Sequence, residues 1–535
     1  MTGFFDRGLS RRRFIGSAAT AVAAVSTPFA RAGAQQKARY RRYNVASADG
    51  QKMLQSYAVA VKNLMALDPR DPRNWFRNAF VHTIDCPHMN WWFFVWHRGY
   101  LGWFEQTLRD ASGNPDFAIP YWDWTQSPRL PAGIFGNILD PTTPPWNPYI
   151  QDYQTFYNRM NPPLTAFWNG LSAAQVQQLK IRMMPTLPSL WDQVDPSKGA
   201  IFAATSYARY PTAANPDLDK STKDAVSPTK VRDGLAPIEF LKFNSGKTPS
   251  HNTDPGTTTA GILEQFPHNK THNYIGGYTY VPNNRNGFMS NNLSPCDPVF
   301  FLHHSNMDRL WDVWTRKQQK IGQPTLPPDA DLPSYKREPF LFYVNSQGKP
   351  VTQNTAGDYI EIGQFDYDYE PGFGEELVEQ AHPPAVAAAT APAPVIAGQT
   401  QAGIGKVAVP AALLQQHAAG QLAQPLVVEV TLPRPATAAS PREFDVLINA
   451  PPGTTAAPED SPNYAGTVSF FGFMPGMAGD VKFIVPVPPD LPPSTGPLTV
   501  QAIPRSPPPR PGAKPLLARP GAPASAVKAV SVTTW

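Results

Sequence analysis

The chain has 535 residues, 41% of them hydrophobic, 16% charged and 62 of them proline, with a formal net charge of +5. That length allows two to four domains around a large core, and a small charge with no long basic run leaves no nucleic-acid footprint. Proline at about 12%, against a norm of about 5%, requires stretches of loop or linker.

In chain order, Ser10-Arg11-Arg12-Arg13-Phe14-Ile15 leads into a mildly apolar, Ala-rich stretch to Ala30 and a small-residue site, Ala32-Gly33-Ala34. The pattern looks like a twin-arginine signal over residues 1–34. The apolar stretch is too short and too interrupted by Gly, Ser, Thr and Pro to span a bilayer. The expectation is export through the twin-arginine translocase to the periplasm or the cell exterior, with no stable membrane insertion.

Residues 35–375 read as the main domain, rich in Trp, Phe and Tyr, with helical periodicity in Met53–Leu67, His97–Leu108 and Phe300–Trp314. Residues 376–424 shift to Ala, Pro, Gly and Gln and read as a linker. Residues 425–503 hold short β-type runs, Val427–Leu432, Phe444–Ile448, Thr467–Phe471 and Lys482–Val485, between Pro and Gly turns, which predicts a small β-sandwich. Residues 504–535 read as a Pro-rich tail without a packed core. The predicted fold is a mainly α catalytic domain plus a C-terminal β-sandwich.

Only ten histidines occur, and seven fall into two clusters: His82, His88 and His97, then His268, His272, His303 and His304. His268 and His272 are four apart, about 40° around a helix, and can face one metal. His303 and His304 differ by about 100° on the helix that Asp297 would cap and Pro298 would open, so one of them joins that metal and the other does not. His88 and His97, nine apart, need separate segments; His97 opens a helix stripe with Leu101, Phe104 and Leu108, and His82 and His88 would come from an irregular stretch before it. Two three-histidine sites without nearby cysteine pairs or carboxylate ligands suit copper or zinc. Aromatic crowding around both favours a redox metal. Two cysteines, Cys86 and Cys296, exclude a disulfide scaffold.

Phe93-Phe94-Val95-Trp96-His97-Arg98-Gly99-Tyr100-Leu101 resembles the first copper motif of tyrosinases, and Asp297-Pro298-Val299-Phe300-Phe301-Leu302-His303-His304-Ser305-Asn306-Met307-Asp308-Arg309-Leu310-Trp311 resembles the second. Pro120-Tyr121-Trp122-Asp123-Trp124 and Tyr367-Asp368-Tyr369 fit the same family. The chain thus resembles the type-3 copper proteins, the group of tyrosinases, catechol oxidases and molluscan haemocyanins, from Tyr40 to about Tyr369. Glu443-Phe444-Asp445-Val446 resembles the start of the C-terminal shielding domain of plant polyphenol oxidases.

The resemblance implies a four-helix core around two copper ions. His82, His88 and His97 would hold one ion; His268, His272 and His304 would hold the other, with His303 behind. It implies a thioether between Cys86 and His88, a proton-accepting water held by Glu264 and Asn269, a pocket wall at Phe300, and a gate position at Asn291. The implied reaction uses dioxygen as co-substrate to oxidise small o-diphenols to o-quinones, with o-hydroxylation of monophenols where a base is in place. A copper chaperone is the implied partner for loading. An oxygen-binding protein of the haemocyanin type and an o-aminophenol oxidase are the alternatives. A di-zinc hydrolase is excluded for want of bridging carboxylates.

Overall fold

The computed structural model describes residues 38–535 without 199, 201, 254–256, 279–285, 384–393, 423, 438–439, 452–453, 455–459, 473–477, 492–495 and 506–524. The expected export signal at 1–34 lies outside the described residues. Among the described residues no helix is long and apolar enough to cross a membrane.

A short strand β1 (Tyr40–Arg42) precedes helices α1 (Ala48–Ala66), α2 (Trp75–Asp85) and α3 (Phe93–Ser112). Ser47 caps α1, its side chain accepting from the Gly50 N–H, and α1 buries Leu54, Tyr57, Val61, Leu64 and Met65 on one face at helical spacing. Asn74 caps α2 by accepting from the N–H groups of Phe76 and Arg77. That cap was not read from the sequence, and it corrects one expectation: His82 is on a helix, and only His88 is on the loop between α2 and α3.

Further on are α4 (Ala173–Ile181), β2 (Thr257–Ala260), a π-helical turn at Glu264–His268, α5 (Asn269–Gly276) and α6 (Val299–Lys320). The wide turn falls at Pro267, which has no N–H for a regular ladder. Helix α6 starts at Val299 with Pro298 in the cap position, each one residue later than predicted; Asp297, just before the cap, takes the Val299 N–H at 3.0 Å and also pairs with Arg209 in a fully buried ion pair. Helices α2, α3, α5 and α6 carry five of the seven clustered histidines; His88 is on the α2–α3 loop and His268 ends the π turn.

Strand β3 (Tyr367–Tyr369) closes this part by pairing in parallel with β1. The pair is locked to α6 by Asp308, whose carboxylate accepts from Arg98 Nε (2.7 Å), Arg42 Nη1 (3.1 Å), Tyr369 Oη (2.6 Å) and Tyr367 Oη. Burial pushes the Asp308 carboxyl up, but Arg98, Arg42 and the two phenols outweigh it and hold it below its usual range. Asp308→Ala should therefore destabilise the fold by about 3–5 kcal/mol, because the buried Arg98 guanidinium loses its counter-charge and Arg42 loses one of its two, keeping Glu105. Denaturant unfolding measures this. In the native chain the contribution is present above the ordinary carboxylate range and is lost as pH falls through the depressed value. An Asp308→Ala midpoint within experimental error of the parent would disprove it.

The C-terminal part is a β-sandwich, as predicted, and larger than predicted. Its strands are β4 (Ile396–Ala397), β5 (Gln399–Gln401), β6 (Ile404–Val407), β7 (Leu426–Pro433), β8 (Glu443–Ile448), β9 (Tyr464–Ser469), β10 (Asp480–Pro486), β11 (Leu498–Pro504) and β12 (Ala529–Thr534). One sheet has the order β2-β10-β7-β12-β4 and the other β5-β6-β11-β8-β9. Their inner faces share a core that includes Val428, Val430, Phe444, Val446, Val468, Phe483, Val500 and Val532.

The stretch expected as a linker over 376–424 supplies three strands and a helix, Ala411–Ala418. Its chain passes from one sheet to the other at Gly398, where a Cβ would stand 2.6 Å from the Lys406 carbonyl oxygen. The stretch expected as a tail over 504–535 supplies β12, which pairs antiparallel with β7 and β4. Its alternating Val530 and Val532 are a strand signal that proline-rich sequence before them obscured. Strand β2 belongs to the helical part of the chain but pairs in parallel with β10, Thr257 opposite Asp480 through Ala260 opposite Phe483.

Candidate metal centre and its cover

All six histidines proposed as ligands are buried or nearly so, and burial holds each imidazole well below its usual pKa, His97 at about 3. They are neutral, which is the form that binds metal. The ligand-capable atoms of His82, Cys86, His88 and His97 lie within 4.8 Å of one another, as do those of His268, His272, His303 and His304.

The tautomers follow from the partners. His82 Nδ1 donates to the Asn292 carbonyl (2.8 Å), His97 Nδ1 to the Phe93 carbonyl (2.7 Å), His272 Nδ1 to the Met289 carbonyl (2.7 Å) and His268 Nδ1 to Asn269 Oδ1 (2.7 Å). Each of these rings therefore turns an Nε2 lone pair inward. His82 Nε2 and His268 Nε2 are buried with no protein partner among the described residues. His272 Nε2 and His304 Nε2 stand 3.1 Å apart, close to the ~3.3 Å separation of two nitrogens at about 2.0 Å from one tetrahedral ion. Unsatisfied buried lone pairs are costly unless an ion takes them. An all-imidazole donor set with no carboxylate in either group fits copper.

The two groups abut: the rings of His97 and His304 stack at 4.1 Å and 9°, and His88 lies 5.7 Å from His268. Phe300 packs on His304 at 4.2 Å and edge-on to His82 at 5.2 Å, so it forms a wall between them. His303 points neither ring nitrogen at a partner among the described residues, and its ring lies 5.0 Å from that of His272.

Cys86 is a buried thiol whose Sγ is 3.7 Å from His88 Nε2 and 3.3 Å from His97 Nε2. Cys296 is buried elsewhere in the core. Glu264 accepts from the Met89 N–H at 2.5 Å and from the Ser245 hydroxyl, and burial raises its carboxyl to about 7. Asn269 accepts from His268 and donates through Nδ2 to the Ser469 carbonyl at 2.7 Å. Glu264 and Asn269 thus have separate partners here.

Asn291 turns its Oδ1 back to the Leu293 N–H at 2.8 Å. The neighbouring Asn292, not Asn291, lines the cavity beside His88. Sequence reasoning missed His251, a histidine outside both clusters; its ring is held between Asp85 (2.9 Å) and Glu338 (2.6 Å), and neither partner is near it in sequence.

The sandwich covers the site. Phe470 turns into the sandwich core, 5.0 Å from Phe483, while Phe471 goes the other way. The Phe471 ring lies 4.5 Å from His88, 4.5 Å from His272, 5.6 Å from His268 and 6.0 Å from His82. Gly472 allows the turn with φ of +61°, and a Cβ there would meet Asn292 Oδ1 at 2.9 Å. Phe473, Met474 and Pro475 of the expected aromatic turn lie outside the described residues.

Polar contacts hold the cover down: Lys270 with Glu443 (2.8 Å, both buried), Asn273 Nδ2 to the Phe470 carbonyl (3.0 Å), Arg442 Nη1 to the Ser290 carbonyl (2.8 Å) and the Ile484 N–H to Gln265 Oε1 (3.1 Å).

Residues 59–317 match the family model described as the common central domain of tyrosinase. The chain is 26% identical over 345 residues to a chloroplastic polyphenol oxidase of Spinacia oleracea, covering 60% of this chain and 45% of that protein. It is 24% identical over 352 residues to a tyrosinase of Hahella sp. (strain CCB-MM4), covering 59% of this chain and 60% of that one. The chain spans about half the length of the curated plant relatives it matches.

Among solved structures, latent aurone synthase, a polyphenol oxidase, superposes with a TM-score of 0.52 at 20% identity over 94% of this chain and 91% of the other. Latent apple tyrosinase does so with 0.51 at 18% over 93% and 96%. These likenesses establish the fold: helices around two histidine groups, followed by a β-sandwich. Residues 59–317 are therefore a tyrosinase common central domain, carried in this chain in front of a β-sandwich.

Proposed function

We propose that the chain is a dicopper oxidase that uses dioxygen to convert o-diphenols to o-quinones and to o-hydroxylate monophenols. The observation that carries this reading is the pair of abutting, carboxylate-free histidine groups with inward, unsatisfied Nε2 atoms. His82, His88 and His97 would hold one copper and His268, His272 and His304 the other; when bound, the two ions supply the two-electron exchange with dioxygen that a single copper could not.

The chain's own residues do the rest. Carbonyl and amide oxygens fix four imidazoles by their Nδ1–H, Phe300 walls the ring of a bound phenol, and Glu264 is the base for its proton. Cys86 would join His88 by a C–S bond, the thiol S–H and one ring C–H giving up two protons and two electrons to dioxygen, which leaves as hydrogen peroxide; the bond would fix that loop histidine, which lacks an Nδ1 anchor of its own among the described contacts.

The segment at 10–34 supports export after folding, with a copper chaperone loading the site beforehand. A covered pocket would also serve an oxygen-binding protein; sustained dioxygen consumption with 4-methylcatechol once the cover is displaced supports the oxidase and refutes the carrier. Product analysis with tyrosine, catechol and o-aminophenol separates the substrate classes.

Metal analysis should give two coppers per chain. His304→Ala should fall to about one, whereas His303→Ala should keep two, because only His304 directs a nitrogen at His272 Nε2. The opposite pattern would reverse the assignment within the pair.

A further inference from the structure

Beside Cys86 and His88 lies a cavity of about 160 Å³ whose walls include Met89, Arg182, Met183, Asn252, Arg434 and Phe471. Among the described residues no Asp or Glu lines it, and two guanidiniums do. Arg182 follows the last turn of α4 and is 5% exposed. Its Nε donates to the Thr83 carbonyl and its Nη1 to Asn252 Oδ1, both at 3.0 Å and both uncharged acceptors. Among the described residues it makes no ion pair. The acid that acts on it, Asp85, already gives one oxygen to His251 and the other to Trp96. Burial accordingly holds the Arg182 guanidinium below its usual value.

A buried guanidinium with spare N–H groups and no ion-pair partner among the described residues, at the edge of a cavity, is suited to an incoming anion. Part of the wall is soft and apolar, where Met89 and Met183 offer thioethers and Phe471 a ring face; Asn90, Thr248, Asn252 and Asn292 make the rest polar. An apolar cavity of about 150 Å³ holds one benzene ring, so the apolar side of this space has room for an aromatic ring.

We infer that this cavity is a subsite for an aromatic carboxylic acid, Arg182 taking the carboxylate and the Met89, Met183 and Phe471 walls taking the ring. An acid held there lies beside His88 with Phe471 still in place. Oxidation of such a ring rests on the phenol-oxidase reading; its capture by Arg182 does not.

Calorimetric titration of the copper-loaded full chain with 3-phenylpropanoate, which has no phenol to oxidise, tests the capture. The acid should bind at least tenfold more tightly than 3-phenylpropanamide and than acetate. Arg182→Gln should lose at least tenfold in affinity for the acid, and Arg182→Lys should retain part of it. Equal affinity for acid and amide on the unaltered chain, which needs no variant to fold, would overturn the proposal. So would an Arg182→Gln protein that binds the acid unchanged, and acetate bound as tightly as the aromatic acid would show a bare-anion site instead. Acid capture through Arg182 in a protein that oxidises no catechol would refute the oxidase reading and leave the subsite standing.

Discussion

Phe471→Gly should raise the rate of catechol oxidation by the full-length, copper-loaded chain by roughly tenfold or more. The Phe471 ring is within 6.0 Å of four ligand histidines, two from each group, in the space a phenol ring must enter. Because it is tethered, it competes at a millimolar or higher effective concentration, and about 1.4 kcal/mol in favour of the closed arrangement already suppresses activity tenfold.

A nick in the stretch 384–393 should by itself change little. The sandwich is also held by the β2–β10 pairing, the buried Lys270–Glu443 ion pair and the Asn269 and Asn273 contacts. Nicking followed by mild detergent should open the site fully, with copper content unchanged. Steady-state dioxygen consumption measures all three forms. Equal rates for Phe471→Gly and the unaltered chain would mean that the ring does not limit access, and the domain would then be better explained as a folding or loading aid.

Glu264→Gln should lower monophenol hydroxylation by about 10²–10⁴-fold while leaving catechol oxidation within a few-fold, the loss expected when a general base is removed from a step that needs it. Burial sets the Glu264 carboxyl at about 7, working against the Ser245 and Met89 hydrogen bonds that favour its ionised form. The base form therefore accumulates as pH rises through about 7, and tyrosine hydroxylation should rise over that interval and then level off. The glutamine variant should show no such rise. Initial rates with tyrosine and with 4-methylcatechol across pH 5–9 decide it; a parallel loss on both substrates would make Glu264 a structural support for the His88 loop, through Met89, and not the base.

Much of the site was legible because its spacing is local. The four-residue step from His268 to His272, the adjacent His303 and His304, and the stripe from His97 to Leu108 each encode a direction on one helix. The α1 and α6 cores were legible for the same reason. What escaped depends on partners distant in sequence: His251 is held by Asp85 and Glu338, 166 and 87 residues away, and Gln265 reaches β10, 219 residues on.

The two- and three-residue strands β4 and β5 carry too few positions to show any period, so a stretch rich in Ala, Gly and Gln read as linker. Asn291 and Asn292 show the limit from the other side. Adjacent identical residues on a loop differ in role only through backbone direction, and no side-chain pattern reports that.

Strand β12 follows every other strand of the sandwich in the chain, yet lies inside its sheet, between β7 and β4. During synthesis the sheet carrying β10 and β7 therefore waits for residues 529–534 before its order is complete, and long-range strand pairing of this kind is slow compared with helix formation. The helices bearing the histidines come from the ribosome more than 200 residues earlier. Time itself thus orders the assembly: the helical part has an interval in which its histidines face solvent and can take up metal, and the lid is set only after the last strand arrives.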